Sequence, residues 1–114
     1  MTDLSTEDKK LVTLARATRA RIQAAEGAAV RDTEGRTYAA ATVDLPSLQL
    51  SAVQAVVAMA VAGGSSGVEA CVVLGDAQDL TEPDAAVLGD FSGADGVTVH
   101  VGDARGTIAG TRTA

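Results

Sequence analysis

Residues 48–74 read LQLSAVQAVVAMAVAGGSSGVEACVVL, and this stretch decides the fold. Leu48 to Ala62 is the most apolar run of the chain, and from Ala52 to Ala62 only Gln54 is polar. The run predicts a helix which, at about 1.5 Å per residue, is too short to cross a bilayer. A helix apolar on nearly all sides is a central one, covered on one side by its own sheet and on the other by another subunit. Gly63–Gly64–Ser65–Ser66–Gly67 ends it, and Glu69 to Leu74 then reads as a buried strand. A buried helix feeding a buried strand points to an α/β domain.

Upstream, Asp44–Leu45–Pro46–Ser47 reads as a loop. Before it, Gly27–Arg31 and Arg36–Val43 flank the turn Asp32–Thr33–Glu34–Gly35, a hairpin signal. Ala39, Ala40 and Ala41 have poor strand propensity, so packing must hold that run extended. Leu4 to Ala25 predicts an amphipathic helix, with Ser5 as cap and Asp8 three residues on. Leu11, Leu14, Ala15, Thr18 and Ile22 form its apolar stripe; Lys9, Arg16, Arg19 and Arg21 read as a solvated face rather than a dock for an acidic partner.

Downstream, a loop runs through Asp79 to a short helix over Glu82–Phe91, with Thr81 and Asp84 as a capping box and Pro83 in its first turn. Val97–Val101 alternates as a strand, and the Gly- and Thr-rich tail from Gly102 is either flexible or adds a short edge strand at Thr107–Ile108. The order is helix, hairpin, helix, strand, helix, strand. It predicts a three-layer α/β/α sandwich with a mixed sheet, a single domain over residues 1–114.

Composition narrows the function. At 114 residues the chain supports one core. It is 46% apolar but only 2% aromatic, so Ala and Val must fill thin, closely approaching layers. A net charge of −6 argues against nucleic-acid and anionic-membrane partners, which need clustered Lys and Arg. One cysteine permits no internal disulfide, and Met1–Lys10 is too polar for a signal peptide. Both fit a cytoplasmic location. With one His besides that Cys, soft metal ligands are scarce, and no cofactor is expected.

Isolated candidates read as ordinary structure. Cys71 in its apolar strand is a buried, inert thiol. His100 faces away from Val99 and Val101 and reads as an exposed or hydrogen-bonded strand histidine rather than a general base. The Gly63–Gly67 loop follows a helix, the reverse of a phosphate loop. Asp76, Asp79, Glu82 and Asp84 read as a solvated acidic surface rather than a divalent-ion site.

Gly27–Ala28–Ala29–Val30, Gly35–Arg36–Thr37–Tyr38 and Thr42–Val43–Asp44, in the element order from Leu11 to Val101, resemble the VGAAL and DGRxYxGxNVEN runs of the family of small cytidine deaminases. Leu50–Ser51–Ala52–Val53 stands where its CAE opens the central helix. Ala60–Val61–Ala62–Gly63–Gly64 and Val87–Leu88–Gly89–Asp90–Phe91 resemble its KAVSEG and VLxEF helix ends. Such enzymes hold zinc with three ligands and move protons with a glutamate.

On that resemblance the first ligand position is Ser51 and the glutamate position Val53. The other two ligands, from PCxxC, fall on Thr81 and Asp84, or on Asp84 and Val87 if Pro83 sets the register. No Cys-x-x-Cys exists to realign onto. The aromatic YSxFxV segment is reduced to Gln23–Ala24–Ala25–Glu26. The positions implied to contact a ribose are Thr42 and Asp44. Ser51 with Gln54, and Thr81 with Asp84, instead have the spacing of helix caps.

The leading expectation is a catalytically inactive deaminase-like protein that binds no metal and acts through self-assembly or an unidentified protein partner. A zinc-dependent cytidine or deoxycytidine deaminase with a mis-registered or shared site is the alternative. A third reading is binding of a nucleotide-like ligand without turnover. Assembly is expected as a homodimer or homotetramer through the residue 50–62 helix, whose outward side includes some of Ala55, Val56, Met59 and Ala60.

Overall fold

A computed structural model describes residues 4–77 and 79–114. Helix α1 (Thr6–Ile22) is capped by Ser5, whose hydroxyl accepts from Asp8 N–H at 3.0 Å. Strands β1 (Gly27–Asp32) and β2 (Thr37–Ala41) form the expected hairpin, turning at Gly35 with φ +89°. Then follow β3 (Val43–Leu45), β4 (Leu48–Leu50), α2 (Ala52–Ala62), β5 (Val68–Leu74), α3 (Glu82–Asp90), β6 (Thr98–Gly102) and β7 (Ile108–Thr113).

The sheet order is β2-β1-β5-β6-β7, parallel only between β5 and β6. Period-two alternation sorts its side chains into two layers. Ala28, Val30, Cys71, Val73, Val99 and Val101 pack with α2 and α3, while Ala29, Ala70, Val72 and Leu74 meet Leu11 and Ala15 of α1. The small core lets α1 lie close: a Cβ at Gly27 would collide with the Ala15 carbonyl oxygen. The fold is therefore the α/β/α sandwich with a mixed sheet.

Three expectations need correction. Asp44–Ser47 is not a loop throughout, because β3 and β4 pair as a separate small hairpin, Val43 opposite Leu50. For the same reason α2 begins at Ala52 rather than Leu48. The tail forms a full edge strand, held to β6 from Thr98↔Thr113 to Gly102↔Ile108.

Candidate functional site

Helices α2 and α3 meet at their N-termini. Four N–H groups at each such end lack an intrahelical partner and need acceptors. At α2, Ser51 Oγ accepts from Gln54 N–H at 3.1 Å, and Gln54 Oε1 accepts from Ser51 N–H at 2.9 Å, a complete capping box. At α3, Thr81 Oγ1 accepts from Asp84 N–H at 3.3 Å. The Asp84 carboxylate does not close its own box. It crosses to α2, where Ser51 Oγ donates to Asp84 Oδ1 at 2.6 Å.

Asp84 is only 4% exposed, so it does not belong to a solvated acidic surface; Asp76, Asp79 and Glu82 do remain exposed. Val53, the second residue of α2, is fully buried in the core. Cys71 is buried behind the same helix ends. Burial, with a smaller effect from Asp84, pushes its thiol far above the ordinary range, which makes it inert.

Glu26, just ahead of β1, also reaches this corner. Burial raises its carboxyl pKa, the Ala52 N–H at the start of α2 opposes that, and the nearby Asp84 charge adds to the rise. Thr42 is held against the Glu26 backbone: its Oγ1 accepts from Glu26 N–H at 2.9 Å and donates to Glu26 O at 3.3 Å. The hydroxyl expected to meet a ribose is thus engaged in fastening the chain. Asp44 is exposed on β3. Glu26, Thr42, Val43, Asp44, Gln49, Leu50 and Ser51 line an open cleft of about 390 Å³.

The structure therefore brings together Ser51, Asp84, Thr81, Thr42 and Asp44, with Val53 turned into the core. Sequence reasoning missed Glu26 as a member of the corner. A carboxylate directly before Gly27, where the family pattern is apolar, was the available signal. Among the described residues, no group of three or more His, Cys, Asp or Glu is arranged to hold a metal ion.

A mixed five-stranded sheet between one helix and a pair, with two helix N-termini meeting over it, defines a deaminase-like scaffold. The family model for cytidine deaminase-like proteins matches residues 4–106, and the chain belongs to that family. It is similar to the crystal structure of cytidine deaminase from Burkholderia pseudomallei at TM-score 0.78 and 18% identity, covering 96% of this chain and 93% of that one. The cytidine deaminase from Mycobacterium leprae aligns at TM-score 0.74 and 19% identity, over 96% of this chain and 94% of that one. That from Mycobacterium tuberculosis aligns at 0.70 and 21%, over 83% and 85%. At these identities the likeness is one of fold. No curated protein matches the sequence.

Proposed function

We propose that this chain keeps the deaminase scaffold without the deaminase reaction and acts by assembling with copies of itself. The observation that carries the reading is the 2.6 Å bond between Ser51 and Asp84, which ties together the two helix ends where the family resemblance implies a metal. Zinc favours thiolate, imidazole or free carboxylate donors. Here the donor set is two hydroxyls that already cap helices and one carboxylate that already accepts from a hydroxyl. The residues do not fit the ion. Val53 cannot carry a proton. The Glu26 carboxyl lies nearby and accepts from the Ala52 N–H at the start of α2.

The purified protein is expected to hold far less than one zinc per chain by elemental analysis. Cytidine and deoxycytidine should give no ammonia above background, and Val53→Glu alone should not change that. Stoichiometric zinc retained through a chelator, or deamination that copurifies with the protein, would establish the zinc-dependent reading instead.

Assembly rests on the outward side of α2. Of the four candidates for that side, Met59 is exposed, while Ala55, Val56 and Ala60 are buried within the subunit. The exposed positions are Ala58, Met59, Val61 and Ala62, with Met59 44% and Val61 53% exposed. Leu45 and Leu48 on the β3–β4 hairpin are also exposed. A wholly small or apolar helix face of this kind suits a self-complementary interface. Sedimentation should show a dimer or tetramer at micromolar concentration, and Met59→Asp should shift it to monomer. A monomeric parent protein, or an unaltered assembly in the variant, would sink the idea.

A further inference from the structure

On the α1 face of the sheet, away from the helix-end corner, three side chains form a linear relay. His100 of β6 is 3% exposed, and the strand register sets Thr111 of β7 directly opposite it. Thr111 Oγ1 lies 2.8 Å from His100 Nδ1, and Asp8 Oδ2 lies 2.8 Å from His100 Nε2. The other Asp8 oxygen accepts from Arg31 Nη1 at 2.9 Å, and Arg31 Nε donates to Glu69 at 2.9 Å.

Burial acts to raise the Asp8 pKa, but the bonds from His100 and Arg31 outweigh it and hold the carboxyl below its usual range. An ionised carboxylate only accepts, so it orients a hydrogen on Nε2. In the neutral imidazole this leaves Nδ1 as acceptor for the Thr111 hydroxyl. That tautomer is the one a base needs to activate a nucleophile.

The backbone supplies a further element. Ala114 N donates to Val97 O at 2.9 Å. Alternation along an antiparallel ladder then makes Val99 and Arg112 a bonded pair, and His100 and Thr111 an unbonded one. Because β7 is the last strand of the sheet, the Thr111 N–H points to its open edge. A donor adjoining the nucleophile's own side chain can hold the oxyanion of an acyl intermediate.

We propose that Thr111 is a nucleophile for acyl transfer from small activated esters, with His100 as its base and Asp8 as a positioning residue. Thr111 Oγ1 bonds to the acyl carbon as its proton passes to His100 Nδ1, and the carbonyl electron pair moves onto the oxygen facing the Thr111 N–H. Collapse breaks the bond to the leaving alcohol, which takes the proton from Nδ1. Water, deprotonated by the same nitrogen, then adds to the acyl carbon; collapse breaks the Thr111 Oγ1–acyl bond, frees the acid and returns the Nδ1 proton to Oγ1. Thr111 is exposed at the sheet edge, so a small ester reaches its Oγ1 directly from solvent.

The test is to treat the full chain with p-nitrophenyl acetate, following p-nitrophenolate release and mapping the acetyl group by peptide mass spectrometry. The expected result is a burst of one equivalent per chain with the label on Thr111. Thr111→Ser should keep the burst. Thr111→Val should abolish it, and His100→Gln should slow it about 100-fold or more. Asp8→Asn should slow labelling and Asp8→Glu restore it in part, with circular dichroism showing all variants folded. Absence of label on Thr111 of the parent protein, acetyl groups only on lysines or the N-terminus, or a Thr111 rate unchanged in His100→Gln would overturn the proposal.

Discussion

Replacing Asp32 with Ala is expected to cost about 2–4 kcal/mol of folding stability and to lower the melting temperature by roughly 10 °C. Asp32 closes the β1–β2 turn and is fully shielded from solvent. Its Oδ1 accepts from Glu34 N–H at 2.9 Å and Arg36 N–H at 2.8 Å; its Oδ2 accepts from Arg36 Nε at 2.8 Å and Ser65 Oγ at 2.7 Å. Ser65 follows α2, so the same carboxylate ties the hairpin to the end of the central helix. Alanine would leave the Glu34 and Arg36 N–H groups and Arg36 Nε without an acceptor, and Ser65 Oγ with only the longer 3.4 Å contact to the Tyr38 hydroxyl. The half-exposed Arg36 can recover water, which keeps the cost at the lower end of that for a broken buried pair.

Acid should expose the same group. Burial acts to raise the Asp32 pKa, but the bonds from Ser65, the Arg36 and Glu34 backbone and the Arg36 side chain prevail and lower it. A depressed folded pKa means that its contribution is full above the unfolded value of about 3.9 and is lost as pH falls through the folded one. The stability gap between parent and Asp32→Ala should therefore be constant near neutrality and narrow only below about pH 4. Chemical denaturation at several pH values measures this. An equal midpoint for the two proteins at pH 7 would remove Asp32 from the fold's supports.

Long-range features explain where sequence reading stopped. The Ala- and Val-rich layers, the hairpin at Gly35 and the caps at Ser5, Ser51 and Thr81 were legible because each is set by residues within four positions of one another. The β3–β4 hairpin was not: strands of three residues are too short to show alternation, and Leu45 and Leu48 face solvent. Strand β7 carries little apolar signal because five of its six residues are exposed, and pairing with β6 is what holds it. His100 was correctly placed on the face opposite Val99 and Val101, yet nothing local revealed that Asp8, 92 positions away, would meet it. At the helix-end corner, the S-x-x-Q and T-x-x-D spacings showed the caps. They did not show that Asp84 would abandon its own backbone for Ser51, 33 positions away.

That pair supports the second large effect. Ser51→Ala should destabilise the protein by about 2–3 kcal/mol, more than the ~1 kcal/mol typical of losing a cap. The extra cost arises because Ser51 Oγ does two things: it accepts from Gln54 N–H and donates to Asp84. Removing it leaves a carboxylate that is 4% exposed without its hydroxyl donor. A double-mutant cycle separates the two contributions. With Asp84→Asn in place there is no charge to strand, so Ser51→Ala should then cost only about 1 kcal/mol. Urea midpoints for the four proteins give the coupling directly. If Ser51→Ala costs the same in both backgrounds, the Ser51–Asp84 bond does not tie the helices together. The corner could then open to receive a ligand, and the case against a metal there would lose its main support.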